Sequence, residues 1–98
     1  MGETAAKPIN KPYGITTKKG KIYICDTGLG GLEIIDLQKN TFSYFIPTGK
    51  GLLKMPLNCF VDDDENLFVA DGERMQVVVF DRDGNYVDSF GGAEKFKP

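Results

Sequence analysis

The chain repeats its own pattern at a fixed interval, and this repeat constrains the fold more than any other feature. Asp26 and Asp36 in the first half correspond to Asp71 and Asp81 in the second half, and the members of each pair lie 45 residues apart. A repeat of about 20–50 residues is typical of solenoids and propellers, in which each repeat is one supersecondary unit. The sequence therefore predicts two copies of one unit, stacked side by side.

Each copy holds four short apolar runs separated by polar turns. Val, Ile, Phe and Tyr dominate the runs, whereas Gly, Asp and Asn fill the turns, which is the pattern of antiparallel strands joined by hairpins. The predicted strands are Tyr13–Thr17, Lys21–Asp26, Leu32–Leu37, Thr41–Ile46, Leu57–Val61, Asn66–Ala70, Met75–Phe80 and Tyr86–Phe90. No stretch combines helical periodicity with capping residues. We therefore expect an all-β protein made of two four-stranded antiparallel propeller blades.

Short motifs in both copies resemble the NHL repeat, the blade unit of NHL-type β-propellers. The first copy reads Pro-Tyr-Gly-Ile at 12–15 and Ile-Tyr-Ile-Cys-Asp at 22–26, and the second reads Leu-Phe-Val-Ala-Asp at 67–71. The resemblance covers about residues 12–98, and it departs from the family pattern at Asn58, where the first copy has Gly14. It implies a propeller, usually six-bladed, that is used for binding, and it does not specify a ligand.

The repeat also predicts domain boundaries and assembly. We expect an N-terminal arm over 1–11, a first blade with its linker over 12–55 and a second blade with its linker over 56–98. Two blades leave two outer apolar faces uncovered, and repeats of this kind need about three units for stability. The chain is therefore expected either to be a fragment of a longer propeller or to associate with itself. Head-to-tail contacts at about 60° per blade favour a homotrimer that completes six blades, and other ring sizes stay open.

Composition and charge limit the kinds of partner and the cellular compartment that we expect for the chain. The chain has 98 residues and a formal net charge of −2, so its bulk charge does not favour nucleic acid. It has no long apolar run and no basic, apolar leader, so we expect no membrane span, no signal peptide and a cytoplasmic location. It contains no histidine, which removes the commonest general base and a common zinc ligand. We expect no cofactor and no metal, and we expect Cys25 and Cys59 to be buried, reduced thiols.

Basic residues cluster in the segments that link one blade to the next. On the propeller interpretation these residues share one face of the ring, which we call the linker face, where they could attract an anionic partner. The predicted partner-binding residues are Lys50, Lys54, Arg74, Lys95 and Lys97. The competing interpretation is that these side chains only keep exposed turns soluble. Asn58, on the innermost strand of the second copy, is the predicted central-channel residue.

The leading hypothesis from sequence is a non-catalytic binding or scaffold module, and not an enzyme, that binds a protein or peptide on the linker face. The alternative is a fragment or remnant of a propeller hydrolase that resembles calcium-dependent lactonases. Such an enzyme needs carboxylates where the innermost strands begin, and Tyr13, Gly14, Leu57 and Asn58 stand there instead. The acidic run at 62–65 lacks the spacing of a calcium-binding loop and is expected to be a solvated hairpin turn.

Overall fold

The computed structural model describes residues 9–91, which form two four-stranded antiparallel sheets with the simple orders β1-β2-β3-β4 and β5-β6-β7-β8. The strands are β1 (Pro12–Lys18), β2 (Lys21–Asp26), β3 (Gly31–Asp36), β4 (Thr41–Phe45), β5 (Pro56–Val61), β6 (Leu67–Asp71), β7 (Gln76–Phe80) and β8 (Tyr86–Gly91). A single 3₁₀ turn, Gly49–Gly51, lies in the linker between the sheets. The prediction of an all-β chain with two four-stranded blades is confirmed. Across residues 9–91 no helix has the length and apolar character needed to cross a bilayer.

Aspartates that recur with the repeat build the hairpin turns. Asp36 Oδ1 accepts hydrogen bonds from the N–H groups of Gln38 and Lys39, both at 3.0 Å. Asp81 Oδ1 accepts from Asp83 N at 3.0 Å and from Asn85 N at 2.9 Å. Such bonds replace the strand ladder where the chain reverses, which is why Asp is favoured at these positions. The predicted turn role of the recurring aspartates is confirmed.

The two sheets pack face to face, with β5 of the second blade against β1 and β2 of the first. Cys25 and Leu32 from blade 1 and Val69 and Val78 from blade 2 have no exposed surface and form the centre of the shared core. The aromatic residues near the interface differ in exposure. Tyr23 and Phe80 are buried, whereas Tyr13 is 62% exposed. Tyr13 lies at the start of the innermost strand, where the other blade does not cover it.

The blades approach each other closely at Gly14. A Cβ atom placed on Gly14 would lie 2.5 Å from the carbonyl oxygen of Leu57 and 2.7 Å from the Cα atom of Asn58. Carbon atoms do not pack at these distances, so only glycine permits the contact. Face-to-face sheets ordinarily lie about 10 Å apart, and Cα atoms of β1 and β5 lie within 8 Å of one another here. Gly14 therefore decides how tightly the innermost strands fit together.

The second blade leaves one apolar face uncovered by the first. Phe68, Ala70 and Val77 line an open hollow on that face, together with Asn58 and Phe60. Phe60 is 61% exposed. Exposed apolar patches of this kind mark interaction surfaces in soluble proteins. We call this surface the outer face of blade 2.

Candidate functional site

The turns of a meander alternate between two edges of the sheet, and this alternation defines the candidate site. The β2–β3 turn (27–30), the linker from β4 to β5 (46–55) and the β6–β7 turn (72–75) share one edge, which is the linker face named above. The β1–β2, β3–β4, β5–β6 and β7–β8 turns share the opposite edge, which we call the hairpin face. The predicted partner-binding residues that the structure describes all belong to the linker face.

Two buried aspartates hold the backbone of the linker face in place. Asp26 accepts hydrogen bonds from the N–H groups of four residues, Asn10, Lys11, Gly28 and Leu29, at 2.8–3.2 Å. Asp71 accepts in the same way from Lys54, Met55, Glu73 and Arg74 at 2.7–3.1 Å. Each carboxylate thus ties the segment that precedes a blade to the β-turn beside it. The sequence predicted a local turn role for Asp26 and Asp71, and the structure adds this second connection.

Within residues 9–91, Glu33 is the one buried carboxyl group that has no hydrogen-bond donor to stabilise its charged form. It has no exposed surface, and within residues 9–91 neither of its carboxylate oxygens accepts a hydrogen bond. Burial, followed by the neighbouring Asp26 carboxyl group, raises the pKa of Glu33 to about 7. A negative charge on Asp26 makes a second charge beside it unfavourable, so Glu33 keeps its proton to a higher pH than an exposed glutamate does. Val78, 45 residues further on, occupies the equivalent core position in blade 2.

Asp26 remains the ionised partner of this pair. Burial pushes the pKa of Asp26 upwards, but the backbone hydrogen bonds from Asn10, Lys11 and Gly28 outweigh it and hold the pKa below its ordinary value. Four N–H groups pointing at one carboxylate stabilise the charged form. Of these two groups, Glu33 is therefore the one that gains or loses a proton near pH 7.

Arg74 uses its guanidinium group within the chain. Its Nη1 donates to the carbonyl oxygens of Lys50 at 2.9 Å and Leu52 at 2.8 Å, and Nε and Nη2 both donate to Oε1 of Gln76. The side chain thereby fastens the linker to the β6–β7 turn, and little of its donor capacity is left for a partner. Lys50 and Lys54 lie exposed on the same face. Their role in binding stays a prediction, and Lys95 and Lys97 lie outside the described residues.

Asn58 is exposed on β5, the innermost strand of blade 2, beside Gly14 of blade 1. Its side-chain oxygen accepts a local hydrogen bond from Cys59 N at 2.9 Å. The side chain also borders the hollow on the outer face of blade 2. Asn58 therefore stands where an innermost strand meets the next blade, and its predicted place in a central channel stays a prediction.

Two thiols from different blades lie in the same core, although the sequence analysis gave no reason to expect them near each other. Cys25 is buried on β2 of blade 1, and Cys59 is half-buried on β5 of blade 2, packed against the shared core. The interaction between the two thiols lowers the pKa of Cys59 and, together with burial, raises that of Cys25. The two residues occupy different positions of the repeat, so no sequence signal pointed to their contact.

The hairpin face carries charges that are already paired. Glu65 lies 3.0 Å from Arg82 and 3.9 Å from Lys21, and Lys18 pairs with Asp63. Asp62 accepts hydrogen bonds within its own turn, as expected of a hairpin. In the part of the chain that the structure describes, no group of three or more Cys, Asp or Glu side chains is arranged to hold a metal ion.

Comparisons with known proteins identify the architecture. No protein-family model matches the chain, and no curated protein matches it. Among solved structures, virginiamycin B lyase from Staphylococcus aureus matches 85% of the chain at 15% identity with a TM-score of 0.65. A streptogramin B lyase matches 90% at 17% identity with a TM-score of 0.70. A catalytically inactive variant of the S. aureus enzyme, in which a histidine is replaced by alanine, was solved with quinupristin and matches 85% at 19% identity with a TM-score of 0.62.

The matches establish propeller-type repeats, and NHL repeats in particular are not established by them. The chain spans about a quarter of the length of these proteins, 27–28%. The expectation of a non-catalytic scaffold, and with it the expectation that the chain is not an enzyme, is contradicted because all three neighbours are lyases. The physical reason for the error is that the repeat pattern encodes strands and turns, and the same fold can carry binding or catalysis.

Proposed function

We propose that this chain forms two blades of a lyase-type propeller enzyme whose substrate binds on the linker face of the completed ring. The observation that carries the proposal is the match of 90% of the chain, which includes strands of both blades, to a streptogramin B lyase with a TM-score of 0.70. The motifs of the two repeats further support blades of the NHL type. Streptogramin B compounds are the first substrate class to test.

The linker face suits a binding role better than the hairpin face does. Lys50 and Lys54 are exposed there, and within residues 9–91 neither ammonium group has an ion-pair partner. On the hairpin face, by contrast, the lysine and arginine side chains face carboxylates. The backbone of the linker face is held by Asp26 and Asp71, so side chains there project from a rigid support, which favours defined binding geometry.

The chain contains no histidine, whereas the S. aureus lyase loses activity when one histidine becomes alanine. Any proton transfer carried out by residues of this chain therefore uses a carboxyl, phenol, thiol or amine group. Glu33 has the fitting pKa, but it is fully buried, so a substrate bound on the surface does not contact it. Tyr13 and Lys54 are exposed near the starts of β1 and β5. We propose that these two residues carry out the proton transfer.

The test is turnover of quinupristin by the purified chain, followed by liquid chromatography and mass spectrometry, with S. aureus virginiamycin B lyase as the positive control. We expect consumption of quinupristin, and Lys54→Ala should lower the rate at least about tenfold. Lys39→Ala removes an exposed lysine from the hairpin face and should leave the rate unchanged. A wild-type chain that neither binds nor consumes quinupristin would refute the proposal.

We further propose that copies of the chain complete the ring head to tail. Phe68, Ala70 and Val77 on the outer face of blade 2 correspond to Tyr23, Cys25 and Leu32, at the common offset of 45 residues. The latter three are buried against blade 2. The internal interface is thus a template for the contact between one copy's second blade and the next copy's first blade.

The seam between copies would differ from this template at one polar position, since Asn58 would stand where the internal interface has Gly14. Two blades account for 28% of the streptogramin B lyase chain, so about seven such blades would fill its length. A ring built from two-blade chains contains an even number of blades, and we therefore propose the trimer of six blades.

Light scattering on a sizing column tests the assembly. We expect about three times the chain mass of 10.8 kDa. Phe68→Asp, on the outer face of blade 2, should reduce the mass to that of one chain. Val87→Asp places the same charge on an exposed position of β8 and should leave the trimer intact. A folded wild-type monomer at high concentration would contradict closure by copies while leaving the activity test unaffected.

A further inference from the structure

We propose that Cys25 and Cys59 form a disulfide bond across the blade interface when the protein meets a disulfide oxidant such as oxidised glutathione. The two residues belong to different blades, so the bond would join the sheets covalently. The geometric basis of this assignment is that Cys25 belongs to the core between the blades, that Cys59 packs against the same core, and that their strands β2 and β5 lie side by side.

The close approach of the innermost strands makes the bond sterically feasible. A disulfide requires Cα atoms about 4.4–6.8 Å apart, whereas stacked sheets ordinarily lie about 10 Å apart. Here Cα atoms of β2 and β5 lie within 8 Å of one another. Gly14 lies in the irregular stretch of β1 beside Cys25, and Asn58, which it contacts, precedes Cys59. The absence of a side chain at Gly14 therefore brings the two sulfurs together.

The two thiols are suited to different steps of disulfide exchange. Cys59 is half-buried and therefore accessible to an oxidant, and the interaction with Cys25 lowers its pKa, so Cys59 supplies the attacking thiolate. Cys25 is fully buried, so a large oxidant reaches it only through Cys59. Cys25 is therefore the resolving thiol.

The reaction proceeds by two exchanges. The Cys59 thiolate attacks one sulfur of oxidised glutathione, the glutathione disulfide breaks, and one glutathione leaves as a thiolate that takes up a proton. Cys25, on losing its proton, then attacks the Cys59 sulfur and releases the second glutathione. Two electrons pass from the protein sulfurs to the glutathione sulfurs, and the two protons end on two reduced glutathione molecules.

The reduced full-length chain is incubated with oxidised glutathione under native conditions and sampled by intact-mass spectrometry. We expect the mass to fall by that of two hydrogen atoms, and non-reducing digestion to yield one peptide pair joined through Cys25 and Cys59. The closed loop of about 35 residues should raise Tm by at least about 10 °C. Formation should be at least about tenfold faster in the native protein than in concentrated guanidinium chloride, because the fold holds the sulfurs together.

Two variants separate the steps. Cys25→Ala should retain one glutathione on Cys59, because no resolving thiol is present, and Cys59→Ala should stay unmodified because Cys25 is buried. Wild-type protein that keeps a stable glutathione adduct, forms disulfides between chains, stays unmodified, or forms the bond no faster when native than when unfolded would overturn the proposal. The wild-type measurements decide the matter even where a variant folds poorly.

Discussion

Glu33 should make the stability of the protein fall as the pH rises through neutrality. Its pKa is raised from an ordinary value of 4.5 to about 7, chiefly by burial and then by Asp26. The folded protein therefore binds a proton more tightly than the unfolded chain, and the stabilisation is complete below about pH 4.5 and lost as the pH passes about 7. At about 1.4 kcal/mol per pKa unit, the loss amounts to about 3 kcal/mol.

The substitution that isolates this effect is Glu33→Gln, which keeps the shape and cannot ionise. We expect the variant to gain about 3 kcal/mol over the wild type between about pH 4.5 and pH 8.5. Urea unfolding at a series of pH values and a fixed protein concentration measures the difference. Glu73→Gln, at an exposed position of the β6–β7 turn, is the matched control and should show no such gain. A stability difference between Glu33→Gln and wild type that stays constant with pH would refute the reasoning.

Three further substitutions test the blade contacts by urea unfolding. Arg74→Lys removes the planar donor set that binds the carbonyl oxygen of Leu52 and its neighbours, and should cost about 1–3 kcal/mol. Gly14→Ala brings a Cβ atom to within 2.5 Å of the carbonyl oxygen of Leu57. It should cost about 1–3 kcal/mol by forcing the blades apart. Asp71→Ala leaves four backbone N–H groups without their acceptor and should cost at least about 3 kcal/mol.

Controls for these substitutions lie on exposed parts of the same blades. Arg82→Lys changes an exposed arginine on the hairpin face and should alter stability by less than about 0.5 kcal/mol. Ser43→Ala changes an exposed position of β4, and an equally small effect is expected. Wild-type stability in Arg74→Lys would mean that the guanidinium contacts do not hold the linker. Wild-type stability in Gly14→Ala would mean that the blades separate there without cost.

The fold was predictable because its determinants are local and repeated. Alternating apolar residues define strands by a period of two, and Asp at the ends of strands defines where each hairpin turns. Asp26 and Asp71 illustrate how far this reasoning extends. Their recurrence predicted turn hydrogen bonds, but the bonds from Lys11 and Lys54 to these carboxylates join segments 15–17 residues away and follow from packing.

The candidate site was less predictable, since its chemistry depends on which residues face one another. Arg74 was expected to face a partner because it lies in a polar turn, yet its donors are used by neighbouring carbonyl groups. The sequence analysis did not identify Glu33. A usable signal was present, because the second copy has the apolar Val78 at the same position of the repeat. The function was misjudged because the enzyme alternative was rejected for lack of carboxylates where the innermost strands begin, although the chain spans only 27% of the length of the S. aureus lyase.

The sequence by itself determined the all-β architecture, the four-stranded unit and its duplication, because strand period, turn residues and repeat offset are all written along the chain. Only the tertiary structure decided which surfaces meet. It brought Cys25 and Cys59 into the same core, buried Glu33 beside Asp26 and left one face of blade 2 open. Those outcomes depend on the distance between two packed sheets, which Gly14 reduces at one point, and no pattern within a single strand records that distance.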